Sequence, residues 1–394
     1  MPDELETLLR AQRLDFIQPP MSTITARARS LRRRRRAAQG GVVALTLLVA
    51  AVAFLAPRDT PEPQVAASPS AGGVWTGDGI TVNGLPGLPR DLPGTIDDAE
   101  FIDADRGFLL TRECAAASCT AWVSTTTDGG RTWSTARAPG GFGTPSLGAV
   151  PSLVVTGSRI TLVGADGTRS SSTDGVTWDT AAGAPAPAGA ALPGDARLVL
   201  LDGRLAALLH DGTSLVAPPT QPPLSVTWVS PVRAGDASWW IGGAVDGHPA
   251  VAVSRDNGVT WTPTTFSGTG TARVAFLGTD VHVALTDPRT SPPGLTGVAT
   301  STDGGARFTD PRPVTGTTIG GDLVPLLDGR LLFVDGAGHW LVSADRGARW
   351  QRVSGLHPTD RLARTQIGWI AYGMSTIYTA YSVDGTTWQK LDAQ

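Results

Sequence analysis

Short runs of β-branched and apolar residues, broken every few positions by polar turns, dominate the chain from about residue 95 onwards. The stretch 225–265 is representative, because TWVSPV, SWWIGGAV and PAVAVS are three such runs separated by RAGDA and DGH. A fourth run, WTPTTF, begins where the polar phrase SRDNGVTW ends. Runs of this length between Gly- and Asp-rich turns predict strands joined by tight hairpins rather than long amphipathic helices.

The polar phrase recurs six times, and each copy ends on an aromatic residue. The closing aromatics stand at 133, 178, 261, 308, 350 and 388, so the intervals are 45, 83, 47, 42 and 38 residues. The long interval fits two units, and the strand-like stretch 196–219 lies within it without the full phrase. Strand-built repeats of this period predict an all-β β-propeller with one four-stranded blade per repeat. Seven blades are expected, with six as the alternative.

Each residue type in the phrase suits a turn between the third and fourth strands of a blade. The Asp accepts hydrogen bonds from backbone N–H groups, and the Ser or Thr two residues earlier adds a hydroxyl to the same network. The Gly adopts a positive φ that a residue with a Cβ resists. The closing aromatic is expected to cover apolar surface between neighbouring blades.

The phrase resembles the Asp-box, or BNR repeat, S/T-x-D-x-G-x-T/R-W/F, of sialidase-like propellers. Six matches at blade spacing carry this resemblance over residues 95–394. The resemblance implies that the boxes are structural turns on the face away from the active site and perform no chemistry. The residues to which it assigns this structural role are Asp128, Gly130, Trp133, Asp174, Trp178, Asp256, Gly258, Trp261, Asp303, Gly305, Phe308, Asp345, Gly347, Trp350, Asp384 and Trp388.

The resemblance raises the possibility of sialidase activity. Sialidases use a Tyr nucleophile activated by a Glu, and an Arg-Ile-Pro motif is common before their first box. Here the last glutamate is Glu113, and the tyrosines, Tyr372, Tyr378 and Tyr381, all fall in the last blade. The Arg-Ile-Pro motif is absent, and the sequence most similar to it is LPRDLPG around Arg90. The sequence therefore favours a protein without catalysis, cofactor or metal, with a divergent exo-sialidase-like glycoside hydrolase as the alternative.

An uncharged run of seventeen residues, Gly40–Ala56, precedes the repeats, and residues 37–39 extend it. A helix of about twenty residues just crosses a bilayer core of about 30 Å. Five consecutive arginines, Arg32–Arg36, stand before it, so the positive-inside bias places the N-terminus in the cytoplasm and the repeats outside. A cleaved signal peptide is the alternative, but its n-region is normally short and no clear A-x-A site follows.

Charge and composition divide the chain into four segments. Residues 1–36 carry nine Arg against four acidic residues, a net +5, which leaves −3 − 5 = −8 for the remainder. Beside a membrane span the basic run is read as a topology signal rather than a nucleic-acid site. The expected order is a cytoplasmic tail (1–36), a transmembrane signal-anchor (37–57), a Pro/Ala/Ser-rich linker (58–73) and the propeller (74–394).

The remaining candidates are a cysteine pair and a set of loop residues. Cys114 and Cys119 are spaced to close a β-hairpin loop, and export would allow a disulfide between them. A binding face is expected on the loops between second and third strands and between successive blades. The candidate binding residues on those loops are His248, Arg289, His339, His357 and Arg361. The sequence thus predicts a membrane-anchored extracytoplasmic module that binds a protein or glycan and no nucleic acid.

Overall fold

In the part of the chain that the computed structural model describes (residues 74–84, 92–115, 118–140, 151–164, 166–187, 189–372 and 379–391), thirty strands form seven sheets. Each sheet is one blade of an all-β seven-bladed propeller, as the repeat spacing predicted. No helix among these residues is long and apolar enough to cross a bilayer. The predicted tail, anchor and linker, residues 1–73, lie outside the described residues.

A short ribbon, β1 and β2, precedes the blades, and most blades consist of four consecutive strands. The ribbon is β1 (Trp75–Gly77) and β2 (Ile80–Asn83). Blade 1 is β3 (Thr95–Phe101), β4 (Gly107–Ala115), β5 (Ser118–Thr126) and β6 (Ser134–Arg137). Blade 2 is β7 (Ser152–Thr156), β8 (Arg159–Val163), β9 (Arg169–Ser172) and β10 (Asp179–Ala181). Blade 3 is β11 (Ala186–Pro187), β12 (Arg197–Leu201), β13 (Arg204–Leu208) and β14 (Leu215–Ala217).

The second half of the propeller repeats this construction. Blade 4 is β15 (Ser225–Val229), β16 (Trp239–Val245), β17 (His248–Ser254) and β18 (Thr262–Thr265). Blade 5 is β19 (Thr271–Leu277), β20 (Asp280–Asp287), β21 (Gly294–Ser301) and β22 (Arg312–Pro313). Blade 6 is β23 (Val324–Pro325), β24 (Leu331–Val334), β25 (Trp340–Ser343) and β26 (Gln351–Arg352). Blade 7 is β27 (Arg361–Arg364), β28 (Trp369–Tyr372), β29 (Ala380–Ser382) and β30 (Thr387–Lys390).

The N-terminal ribbon closes the ring by joining blade 7. Strand β2 pairs parallel with β30, which gives blade 7 six strands instead of four. The buried Lys390 fastens this junction, since its Nζ donates to the Gly84 carbonyl and lies 3.1 Å from the centre of the Trp75 ring. The first strand of the described chain is therefore fixed to the last one.

Blade 3, the unit without the polar phrase, has a different outer strand. Strands β12, β13 and β14 come from the stretch 196–219 in which the degenerate unit was predicted. The fourth strand is β11, which precedes the other three in the chain and pairs parallel with β14. Without the Asp–Gly turn, the chain does not fold back on β14 to supply an antiparallel fourth strand.

The six phrases form the same hydrogen-bonded turn between the third and fourth strands of their blades. In blade 4, the Ser254 hydroxyl donates to Asp256 (2.9 Å) and accepts from the Gly258 N–H (2.8 Å). Asp256 also accepts from the Thr260 N–H at 2.9 Å. Gly258 has a φ of 82°, and a Cβ there would lie 3.0 Å from the Leu192 side chain. Equivalent bonds from a Ser or Thr hydroxyl hold Asp128, Asp174, Asp303, Asp345 and Asp384 in the corresponding turns.

The closing aromatics pack in the interfaces between blades. Trp388, for example, is fully buried and meets Trp340 of blade 6 edge-on, with ring centres 5.1 Å apart. Phe308 contacts Trp240 and Phe266 of blade 4 in the same manner. The apolar cluster between blades 2 and 3 consists of Val, Leu and Ala side chains among the described residues, because blade 3 has no phrase to supply a closing aromatic.

Candidate functional site: the axial funnel, groove and channel

Three recesses lie on or beside the propeller axis. The funnel, about 560 Å³, is lined by Asp97, Arg112, Arg273, Asp360, Arg361 and Tyr372 among others. The groove, about 580 Å³, lies between blades 5 and 6 and is lined by Asp287, Thr296, Thr315, Thr317, Thr318 and Asp335 among others. The channel chamber, about 340 Å³, is lined by Asp98, Glu100, Arg197, Asp322, Arg364 and Gln366 among others. Each volume lies in the range of ligand sites.

The funnel and the channel chamber follow one another along the innermost strands. Strand β3 places Asp97 in the funnel and then Glu100 in the chamber. Strand β27 likewise places Arg361 in the funnel and Arg364 in the chamber. Successive residues of a strand rise about 3.3 Å, so the two recesses stack along the axis within the length of one short strand.

The funnel lining carries an excess of positive charge. Three arginines, Arg112, Arg273 and Arg361, face two aspartates, Asp97 and Asp360, which leaves 3 − 2 = +1. Asp97 pairs with Arg112 through both guanidinium nitrogens that face it. Arg273 donates to the Gly321 carbonyl at 3.0 Å and keeps 31% of its side chain exposed. Arg273 also lies 3.8 Å from the Asp322 carboxylate, and Asp360 shares the lining with Arg361. Arg273 and Arg361 are the two funnel arginines that Asp97 does not pair with.

Tyr372 forms part of the funnel wall beneath Arg361. The Arg361 guanidinium lies 5.9 Å from the centre of the Tyr372 ring, a cation–π distance. Burial raises the pKa of the Tyr372 hydroxyl above its ordinary value, so this group is a poorer nucleophile than a free tyrosine at neutral pH. The nearest backbone acceptor is the carbonyl of Asp97, at 3.5 Å.

Gln366 crosses the channel chamber and ties blade 7 to the opposite side of the ring. Its backbone N–H donates to Glu100 of blade 1 at 2.6 Å, and its side-chain amide donates to the Val155 carbonyl of blade 2 at 2.7 Å. Its side-chain oxygen accepts from Arg197 of blade 3 at 2.9 Å. One residue thus connects four blades across the axis.

Asp322 makes a second axial connection on the other side of the chamber. It precedes β23 of blade 6, and its carboxylate accepts from the Trp228 indole of blade 4 (3.3 Å) and the Arg364 N–H of blade 7 (3.2 Å). Arg273 of blade 5 lies 3.8 Å from the same carboxylate. The channel is therefore held by polar contacts between blades as well as by apolar packing.

The two acidic groups of β3 in the chamber are protonated more readily than usual. Burial raises the pKa of Glu100 to about 8 and that of Asp98 to about 6. Backbone N–H groups of Leu153 and Ala99 donate to Asp98, and these bonds oppose the upward shift of its pKa. At neutral pH Glu100 is mostly uncharged, which reduces the cost of burying it beside Asp98.

The five predicted binding residues are distributed over the same end of the propeller. Arg361 lines the funnel. Two others lie next to the groove, because Arg289 pairs with Asp287 (2.7 Å) and His339 contacts Asp335 (3.1 Å), and both aspartates line it. His248 instead contacts the Gly268 carbonyl at the edge of blade 4. His357 stacks near Trp75, with ring centres 4.0 Å apart.

Several residues of the site escaped the sequence analysis. Asp97, Asp98, Arg112 and Arg273 stand in ordinary strand sequence, and nothing in their spacing indicates that they converge. The signal that could have found them is a charged residue within the first strand of a blade, such as Glu100 in TIDDAEF. The first strands of all blades except blade 3 are the innermost ones, so their charged side chains face the channel. Cys114 and Cys119 are joined by a disulfide across the β4–β5 hairpin, close to Arg112 at the funnel rim.

Comparisons with known proteins found solved structures with a similar fold, but no protein family that matches the sequence. Solved structures similar to this chain include YCF48 bound to D1 peptide, 17% identical over 74% of this chain and 93% of that chain, with a TM-score of 0.48. YCF48 from Cyanidioschyzon merolae is 15% identical over 77% and 97% (TM-score 0.49), and BamB from Moraxella catarrhalis 13% over 71% and 81% (TM-score 0.41). No family model and no curated protein matches the chain. Membership of the Asp-box family therefore stays a prediction.

Proposed function

We propose that the chain is a membrane-anchored, extracytoplasmic binding module that docks a segment of a partner protein at the funnel and groove. The observation that carries the proposal is the continuous polar recess formed there by blades 1, 5, 6 and 7. Its lining combines exposed and half-buried guanidinium groups, hydroxyls and backbone, which suits recognition of a polar chain. A rigid ring of blades holds these groups in place before the partner arrives, and this reduces the ordering cost of binding.

The first described strand, β1, begins on the funnel side of the propeller. Trp75, the first residue of β1, contacts His357, which lies just before the funnel residue Asp360. The turn at Asp78, at the other end of β1, contacts Arg330 in the β23–β24 turn instead. Protease added to intact cells should digest the propeller, and an untouched propeller would contradict export.

A glycan ligand and a glycoside hydrolase are the competing proposals. Tyr372, the candidate nucleophile in the funnel, has a raised pKa, and the neighbouring Asp97 forms an ion pair with Arg112. Glu100, whose pKa is higher than that of Asp98 in the channel chamber, accepts a hydrogen bond from the Gln366 N–H and is 6% exposed. These contacts favour binding over turnover. Hydrolysis of a fluorogenic glycoside panel, abolished by Asp97→Asn, would overturn this preference.

Quantitative partner capture by the full chain tests the proposed function. Wild-type chain in its native membranes is cross-linked and purified, and the captured proteins are compared with those of Arg361→Glu and of a matched control, Arg349→Glu. Arg349 is 87% exposed and stands on a box turn of blade 6, away from the funnel. The proposal expects a partner that is lost with Arg361→Glu and kept with Arg349→Glu. Equal capture by all three proteins would contradict it.

A further inference from the structure

The funnel and the groove form one continuous track from the axis to the rim. Gly336 lines both recesses, and Pro292 of the funnel wall lies beside it. A Cβ at Gly336 would lie 2.3 Å from the Thr318 hydroxyl and 3.3 Å from Pro292, so a larger residue would crowd the junction. The absence of a side chain at this position keeps the passage between the two recesses open.

The two ends of the track carry different charges. At the axial end, Arg273 and Arg361 line the funnel, whereas Arg112 is paired with Asp97. At the rim, the aspartates Asp287 and Asp335 line the groove and hold a cationic or polar partner each, Arg289 and His339. With Asp97 and Asp360 counted, the three arginines leave the funnel lining at 3 − 2 = +1, and Asp322 lies 3.8 Å from Arg273 at its inner end. An anionic group is therefore favoured at the axial end over the acidic rim.

The middle of the track is built from hydroxyls and backbone. Thr315 and Gly316 are exposed, and Thr317 and Thr318 are partly exposed in the loop that follows β22. The Thr318 hydroxyl accepts from the Gly336 N–H at 2.8 Å, which leaves its own hydrogen available to an incoming acceptor. The Thr317 hydroxyl donates to the Thr318 carbonyl at 3.4 Å, so it offers an incoming chain its acceptor lone pairs. Hydroxyl acceptors together with the Thr318 donor suit the alternating N–H and C=O groups of an extended chain.

We propose that this track binds an extended peptide with a carboxylate held between Arg273 and Arg361 in the funnel and its preceding residues laid along the threonine groove. The inference rests on the proposed function and specifies its ligand chemistry and direction. A carboxylate accepts charge-assisted hydrogen bonds from guanidinium groups, and a free C-terminus or an acidic side chain can provide it.

Fluorescence anisotropy of labelled peptides on the purified full-length chain tests the inference. The probes are N-terminally fluorescein-labelled peptides of about eight residues, the length that spans roughly 26 Å when extended. One panel has a free C-terminal carboxylate, a second has the same sequences with an amidated C-terminus, and a third is amidated but ends in Glu. The free-acid panel should bind, and amidation should weaken binding by about tenfold or more, as loss of a charge-assisted bond does. Binding restored by the terminal Glu identifies any carboxylate as sufficient, whereas continued loss assigns the site to the chain terminus.

Substitutions place the carboxylate in the funnel. Arg273→Gln and Arg361→Gln should each weaken the free-acid panel by about tenfold while leaving the amidated panel unchanged. Arg349→Gln is the matched control and should change neither, and thermal unfolding verifies that each variant is folded. Equal binding of acid and amide panels overturns the carboxylate inference but leaves the proposed function standing if partner capture still depends on Arg361. Failure of every panel to bind overturns the peptide track in the same way.

Discussion

Replacing Glu100 by Gln should stabilise the protein strongly at alkaline pH and only slightly near pH 5. The pKa of Glu100 is about 8 in the folded chain against 4.5 for an ordinary glutamate, because burial disfavours its charged form. A group whose pKa is raised by folding stabilises the fold fully below its unfolded pKa and loses that contribution as the pH rises through the folded pKa. The sensitive window therefore runs from pH 4.5 to about 8.

The magnitude follows from the size of the shift. The difference of 8 − 4.5 = 3.5 pKa units corresponds to about 5 kcal/mol at most, since one unit is worth about 1.4 kcal/mol. Glutamine has nearly the same shape and its amide oxygen can still accept from the Gln366 N–H, so the variant avoids the cost of ionisation without losing this bond. Above pH 8, Glu100→Gln should exceed wild type in free energy of unfolding by several kcal/mol, up to about 5 kcal/mol.

Urea unfolding of the full chain between pH 5 and 9 measures this difference. The control is Glu113→Gln, the same substitution at an exposed position of blade 1, which should follow wild type throughout. Asp98 titrates in both proteins, and its repulsion of an ionised Glu100 is part of the difference that the comparison measures. Parallel pH profiles for wild type and Glu100→Gln, or a variant less stable at every pH, would refute the assignment of a buried protonated glutamate.

Three further predictions test the turns and the closure of the ring. Ser254→Ala removes two buried bonds of a box turn and should cost about 1–3 kcal/mol in urea unfolding, whereas the exposed Ser267→Ala should cost almost nothing. Asp128, whose pKa is lowered to about 2 by its bonds to Thr132, stabilises the fold above pH 3.8 and loses this effect as the pH falls towards 2. Asp128→Asn should flatten the acid limb of the stability profile there, and an unchanged acid limb would contradict the bonding. Lys390→Met should speed amide hydrogen exchange in β2 without changing exchange in blade 4. Equal exchange rates in β2 of the variant and of wild type would argue against a role of Lys390 in holding β2 on blade 7.

The polar phrase made the blade architecture predictable because each copy encodes a complete local turn. A Ser or Thr, an Asp and a Gly bond to one another within a few residues, so their spacing alone specifies the turn and its aromatic neighbour. Blade 3 was predicted from the spacing of the other units and from the strand-like stretch 196–219, whereas its parallel strand β11 comes from a segment with no strand-like pattern. The single closing ribbon β1–β2 likewise carries no repeat signal.

The site was far less predictable, for a geometric reason. Arg112, Arg273 and Arg361 belong to blades 1, 5 and 7, and only closure of the ring brings them into one funnel. Arg361 was identified because it follows a loop between blades, whereas Arg112 and Arg273 lie within strands. Gln366 resembles any turn residue in the sequence, and its contacts with three other blades depend on the diameter of the channel.

Site-specific photo-cross-linking tests the central claim, that a partner chain lies in the track between blades 5 and 6. A photoreactive amino acid replaces the groove residue Thr317 in one full-length protein and the exposed Val176, on the box turn of blade 2, in another. We predict a cross-linked partner from position 317, lost when Arg273 and Arg361 are both changed to Gln, and none from position 176. Adducts formed only at position 176, or adducts at 317 that persist without the two arginines, would contradict the account.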